Sequence, residues 1–254
     1  MQIVRTLALS FLGLAGSAFA ASPVASYHFN NVLTSSVAGA PALIVTDPHA
    51  TSGFGTDIVF GNSQAVYNFK GTPDNAGQAG LTLNTAGLLT SNSVYTVELI
   101  FKFTEHANLW RRIVDVQNRS SDNGFYVNPG NVLDVFPIGG GSPFTNNQYH
   151  DVFLTNDNGT VAFYLDGSAQ ASFNTSVMNI DANNLINLFL DNVVAGGQNE
   201  YSSGSIALFQ LYNEALGANV IPPVPGVPEP QTYALLLAGI CVVGAVARRR
   251  RQAG

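Results

Sequence analysis

Two polar stretches in an otherwise apolar-patterned chain carry the residue types that could do chemistry. LFLDNVVAGGQNEYSSGSIALF, residues 188–209, ends an apolar run on Asp191 and Asn192 and places Glu200 in the polar loop before the next run. Carboxylate, amide and loop carbonyl oxygens are what a Ca²⁺ ion takes, six to eight of them at about 2.3 to 2.6 Å. Asp191, Asn192 and Glu200 are therefore the candidate calcium ligands. The competing reading is structural: with Ser202 they cap strands and satisfy loop amides, and ordinary loop chemistry accounts for them more simply.

VQNRSSDNGFYV, residues 116–127, sets Asn118, Arg119, Asp122 and Asn123 beside Phe125 and Tyr126, with Trp110 a few residues upstream. Sugar sites pair an aromatic face with amides and carboxylates, which makes Asn118, Asp122, Asn123, Tyr126 and Trp110 the candidate ligand-binding residues. Asp122-Asn123-Gly124 is equally the composition of a hairpin turn, and a lone Trp after a loop is commonly core.

Enzyme chemistry finds less support. Glycoside hydrolysis needs two carboxyl groups flanking the scissile bond, about 5 to 5.5 Å apart in retaining enzymes. Glu98 is the best-placed strand carboxylate, but the alternate positions carry Ile100 and Lys102, and Glu105 falls off that face. Glu98 then reads as part of a solvated strand face. His28, His49, His106 and His150 are scattered, and no nucleophile elbow precedes a helix. IGGGSP lacks a following helix and lysine and reads as a flexible turn rather than a phosphate loop. The expectation is a protein that is not an enzyme.

These residues sit in a chain of 254 residues, 46% hydrophobic yet only 10% charged. Soluble domains usually carry about 25% charge, so Asn, Ser, Thr and Gly supply the polarity here. Between residues 21 and 222 five basic residues, Lys70, Lys102, Arg111, Arg112 and Arg119, face fifteen carboxylates. That balance excludes nucleic acid as a partner of the folded part. The single cysteine, Cys241, lies in a C-terminal apolar run, so no disulfide or Cys-based metal site holds the domain.

The elements that must position the candidate residues are strands. SVYTVELIFKFT alternates Tyr95, Val97, Leu99, Phe101 and Phe103 with Thr96, Glu98, Ile100 and Lys102, which predicts one buried face. SYHFN, RRIVDVQN, GFYVN, VLDVFP, HDVFLTN, TVAFYLDG, NLFLDN and GSIALFQLYN read as further strands. Asn158-Gly159 and Asp166-Gly167 are the residue pairs of tight hairpin turns. Only GLLTS hints at a helix. Many short strands at regular spacing predict an all-β sandwich.

Both ends read as addresses. Residues 1–20 combine Arg5, an apolar stretch and Ala18-Phe19-Ala20, the three parts of a secretory signal peptide, predicting a mature start at Ala21. NVIPPVPGVPEPQ packs five prolines between Pro222 and Pro230 and reads as a linker over 218–230, placing the end of the domain (21–217) at Gly217. In 231–254 an apolar run from Thr232 to Ala247 spans about 24 Å as a transmembrane helix, and Arg248, Arg249, Arg250 and Arg251 complete it on the cytoplasmic side. Before processing, this segment is the chain's only expected membrane contact.

Two resemblances sharpen this reading. Val227-Pro228-Glu229-Pro230, the apolar helix and the arginine cluster resemble the PEP-CTERM sorting segment of Gram-negative bacteria. That resemblance implies removal by an exosortase, a membrane protease, and an exported protein at the cell surface or in an exopolysaccharide-rich extracellular matrix. Tyr149-His150 before DVFLTNDNGTVAFYLDG, followed by SGSIALFQLYNEAL, resembles the laminin-G-like, concanavalin A-like jelly roll over Val24 to Leu216. Tyr149 stands where that family commonly has Trp, an exchange of one aromatic for another. The resemblance implies a jelly-roll sandwich that binds carbohydrate or exopolysaccharide, and it adds support to calcium at loops on the rim. Its glucanase relatives carry a Glu-x-Asp-x-x-Glu triplet that is absent here. A ligand-free surface spacer and, after it, an unusual glycosidase are the alternatives.

Overall fold

The computed structural model describes residues 21–74, 76–194 and 199–222. The expected signal peptide with Ala18 and Ala20, and the sorting segment with Val227, Pro228, Glu229, Pro230 and Arg248 to Arg251, lie outside the described residues. Of the predicted cleavage positions, Ala21 lies within them.

Alternating apolar residues and turn-forming pairs make strands almost everywhere. In chain order they are β1 (Ala25–Tyr27), β2 (Ile44–Thr46), β3 (Gly53–Val59), β4 (Asn62–Phe69) and β5 (Gly80–Asn84). The middle of the chain adds β6 (Val94–Phe103), β7 (Arg111–Asp115), β8 (Gly124–Val127), β9 (Val132–Phe136) and β10 (Gly139–Pro143). The last five are β11 (His150–Asp157), β12 (Thr160–Leu165), β13 (Ser168–Asn174), β14 (Leu185–Leu188) and β15 (Gly204–Tyr212). No helix forms among the described residues, and GLLTS is a turn.

The strands form two antiparallel sheets, the all-β jelly-roll sandwich expected from the sequence. One runs β13-β12-β11-β6-β15-β4-β3, with β1 also paired to β15; the other runs β10-β9-β8-β7-β14-β5-β2. Asn158-Gly159 (φ 49° and 91°) joins β11 to β12, and Asp166-Gly167 (φ 52° and 78°) joins β12 to β13, each with the two positive φ angles of a type I′ turn.

The core lies between the sheets. Tyr95, Val97, Leu99, Phe101 and Phe103 of β6 meet Leu81, Leu83, Phe125, Val127, Leu133, Val135, Ile186 and Leu188 from the opposite sheet. Phe189 carries φ 63°, an unusual backbone for an aromatic residue. Stacking at 3.9 Å on Phe69, with Phe101 and Phe103 alongside, holds it there. This residue ends β14 at Leu188, so Asp191 and Asn192 lie in the following loop and not on the strand that NLFLDN predicts.

Two expectations are corrected. Glu98 does not sit on a solvated face: it is 7% exposed, because β6 is central and the segment after β15 folds over it. The domain also continues beyond Gly217. Ile221 packs with Phe153, Tyr164, Tyr212 and Leu216, since those apolar side chains on the outside of the sheet would otherwise face water.

Candidate functional site

Arg112 organises the polar residues at one end of β7. Strand β7 carries a bulge between Arg112 and Val114, where it pairs with β8. A regular strand would point residues 112 and 115 to opposite faces. The extra residue restores the parity, so Ile113 and Val114 both enter the core while Arg112 and Asp115 share the outer face. Arg112 Nη1 is 3.3 Å from Asp115 Oδ1, both side chains fully buried.

From this pair a ladder of buried polar side chains crosses the seven-stranded sheet along directly paired positions. Thr82 Oγ1 donates to Asn187 Oδ1 at 2.7 Å, and Asn187 Nδ2 donates to Asp115 Oδ2 at 2.9 Å. On the other side Arg112 donates to the Tyr126 hydroxyl, which itself donates to the Asp122 carbonyl at 2.7 Å. The guanidinium lies 4.7 Å from the centre of the Tyr126 ring.

The two candidate clusters, about seventy residues apart in sequence, are one site around this arginine. Arg112 Nε is 3.7 Å from Asp191 Oδ1, and Nη2 is 3.5 Å from Glu200 Oε2. Asn192 Nδ2 donates to Asp122 Oδ1 at 2.6 Å, and Arg119 Nε donates to the Asp191 carbonyl at 2.6 Å. Asp191 accepts the backbone N–H of Asn192 on one oxygen and that of Glu200 on the other. Burial raises the Asp191 pKa, opposed by Arg112 and these amides. Burial and then the Asp191 charge push Glu200 up to about 9, and its Oε2 is buried without a hydrogen-bond donor.

Asp191, Asn192 and Glu200 thus converge, but on a guanidinium. A calcium ion would need their oxygens within about 2.6 Å, where Arg112 already supplies the positive charge. The residues do not fit that ion, and among the described residues no group of three His, Cys, Asp or Glu side chains is disposed to hold a metal.

The predicted sugar-binding residues divide. Tyr126 has no exposed surface and both roles of its hydroxyl are taken, so it is corrected from a ligand contact to a buried support. Trp110 is half-buried, edge-on to Tyr126 and Phe136 at 5.5 and 5.3 Å, which makes it neither free platform nor core. Asn118 is exposed, while Asp122 and Asn123 are half-buried. The hairpin reading of Asp122-Asn123-Gly124 is also corrected: the reversal occurs at Asn118-Arg119 (φ 50° and 59°), closed by Ser120 N donating to the Gln117 carbonyl. Gly124 is already in β8, where a Cβ would approach the Val114 carbonyl at 3.0 Å.

Sequence reasoning missed a second acid near Glu98. Asp151 on β11 pairs with Ile100 of β6, and so faces the same side as Glu98. Burial, then Glu98 and Asp166, push Asp151 up to about 8. Burial also raises Glu98, against a 2.7 Å hydrogen bond from Tyr212. The signal was the alternation of β11 read against β6, not spacing within one strand.

Residues 74–221 match the concanavalin A-like lectin/glucanases superfamily, and residues 226–251 match the PEP-CTERM protein-sorting motif. Domain 4 of AbnA, a GH43 extracellular arabinanase from Geobacillus stearothermophilus solved with arabinotriose, is similar in fold. It has a TM-score of 0.58 at 20% identity, covering 79% of this chain and 97% of that one. The binding domain of botulinum neurotoxin DC, solved with rat synaptotagmin II, matches at 0.53 and 12% identity over 79% of this chain. This chain covers 50% of that protein. At these identities the likeness is one of fold. No curated protein matches the chain.

Proposed function

The chain belongs to the concanavalin A-like lectin/glucanases superfamily, and on that premise we propose that it is an exported, non-enzymatic binding module. It holds carbohydrate or exopolysaccharide at the cell surface or in the extracellular matrix once an exosortase has removed its tail. The observation that carries this reading is the coupling of two parts in one chain: the domain match ends at residue 221 and the sorting motif begins at 226. A domain so close to a membrane address is presented directly at the outer surface.

Binding rather than hydrolysis is supported by the carboxylates. Glu98 lines a cleft of about 300 Å³ with Phe153, Tyr212, Leu216 and Val220, and Gln210 rather than a second acid faces it there. Asp151, 1% exposed, does not open on that cleft. An acid and base flanking a glycosidic bond would both have to reach it.

The test is retention of the host's own extracellular polysaccharide by the purified protein in a pull-down. Capture supports the reading; no capture of any fraction overturns it. A spacer role is the second reading, favoured by the closure of the Arg112 cluster, whose polar side chains are buried. Deleting residues 21–222 while keeping the tail separates the two, because a spacer's loss leaves polysaccharide retention unchanged.

A further inference from the structure

The tip of the β3–β4 hairpin folds onto the outer face of the eight-stranded sheet, where Val59, Phe60 and Val66 pack against Ile100, Tyr149 and Ala207. Beside this contact lies a cleft of about 500 Å³, within the range of sites for small ligands. Its floor is an ion pair: Lys102 Nζ is 2.6 Å from Asp57 Oδ2. The Tyr149 hydroxyl donates to the same oxygen at 3.1 Å, and the Ile58 N–H donates to Oδ1 at 2.8 Å. Lys102 also lies 4.9 Å from the centre of the Tyr149 ring. The floor is therefore polar, fixed from several sides and balanced in charge.

The walls differ in character. Phe60 and Ile58 form an apolar side, with Ile58 61% exposed. Asn147 and Gln148, both exposed, bring amide groups to the cleft from the segment before β11. Phe60 occupies the first position of a Phe60-Gly61 turn at φ 48° and 82°. That position favours Asn, Asp or Gly, and a bulky residue there is strained.

We propose that this cleft is a subsite for one neutral sugar ring of a glycan. A pyranose offers an apolar C–H face to Phe60 and Ile58 and a rim of hydroxyls to the amides and to the two ammonium protons that Lys102 has left after Asp57. The balanced floor gives no advantage to a charged ligand, and the acidic domain repels polyanions. The site deepens the binding function proposed above and rests on it, but lies on the sheet opposite the Arg112 cluster.

The test is calorimetric titration of the full-length chain, held in a non-glycosidic detergent, with cellotetraose, β-1,3-glucotetraose, xylotetraose, arabinotriose and tetragalacturonate. A neutral oligosaccharide should bind, and Phe60→Asn and Gln148→Ala should each weaken it by about tenfold or more. Phe60→Asn suits the turn but gives up packing on Ile100, Tyr149 and Ala207, so its melting temperature is measured beside its affinity; Gln148 is exposed, so its loss reads binding alone. Neutral binding that survives both changes, or that Asn118→Ala abolishes instead, overturns the site and leaves the binding function standing. Preference for tetragalacturonate, lost in Lys102→Met, overturns the neutral-sugar assignment. Binding of none of the five sugars overturns the site, while the host-polysaccharide pull-down judges the broader function separately.

Discussion

Arg111 and Arg112, adjacent on β7 and both fully buried, serve opposite faces of one sheet: the Arg111 guanidinium lies 5.4 Å from the Phe103 ring centre, and that of Arg112 lies 4.7 Å from Tyr126. Their partners differ as much as their positions. Arg112 has three carboxylates within 4 Å, whereas Arg111 meets the amide oxygens of Asn131 and Asn146.

The first prediction follows from that contrast. Arg112→Met leaves Asp115, Asp191 and Glu200 buried without their central cation and should cost about 3 to 5 kcal/mol. Arg111→Met removes a cation whose pKa burial has pushed down to about 10 and whose Nε has no acceptor, so stability should hold or rise. Urea midpoints of the two variants check this; equal losses would contradict the assigned roles.

Stability should depend on pH in a definite direction. Asp151 rises from 3.8 to about 8 and Glu200 from 4.5 to about 9 on folding. Both are acids with raised pKa, so the folded protein keeps protons that the unfolded chain releases. Their contribution is whole below about pH 4, shrinks as pH rises, and is gone by about 8 and 9 respectively. Asp57, Glu105 and Asp47 are lowered and act in the opposite sense, in the acid range below their ordinary values. Denaturant midpoints should therefore fall between about pH 5 and 8, and Asp151→Asn should flatten that decline. A midpoint that climbs over this window would refute the protonated state of both groups.

Calcium should leave the domain unchanged. With Arg112 among the oxygens of Asp191 and Glu200, the melting temperature is expected to be the same in millimolar calcium and in EGTA. A calcium-dependent rise that disappears in Asp191→Ala would restore the ion-binding reading of the loop.

Glu98→Gln tests the absence of hydrolysis. It keeps the shape and the contact with Tyr212 while removing the acid, so polysaccharide binding should persist. Neither the wild type nor the variant should release reducing sugar from glucan, xylan or arabinan; release by the wild type alone would make Glu98 catalytic.

Much of the fold was legible because its signals are local. Turn pairs such as Asn158-Gly159, and the alternation of Tyr95 through Phe103, depend on neighbours in sequence, and both appear as predicted. The acids of the candidate site were legible by type, but not the cation that gathers them. A one-residue bulge at Ile113 decides that Arg112 and Asp115 share a face, and no alternation pattern reveals a bulge. Glu98 was misread for a related reason: Tyr212, whose hydroxyl donates to it in the folded sheet, lies more than a hundred residues later in the chain. The cleft at Lys102 needs Asp57 and Tyr149 brought together from three separate parts of the chain, and spacing carries no trace of that.

Strand β15 comes last in sequence among the strands of the described residues, yet it lies in the middle of its sheet, with β6 on one side and β4 and β1 on the other. Without it the two halves of that sheet have nothing to join them, and β6 presents an open edge. The strand that joins them is thus the one nearest in sequence to the sorting motif, which begins at residue 226. A chain cut before Gly204 would therefore leave β4 and β6 with unpaired edges and the larger sheet in two parts.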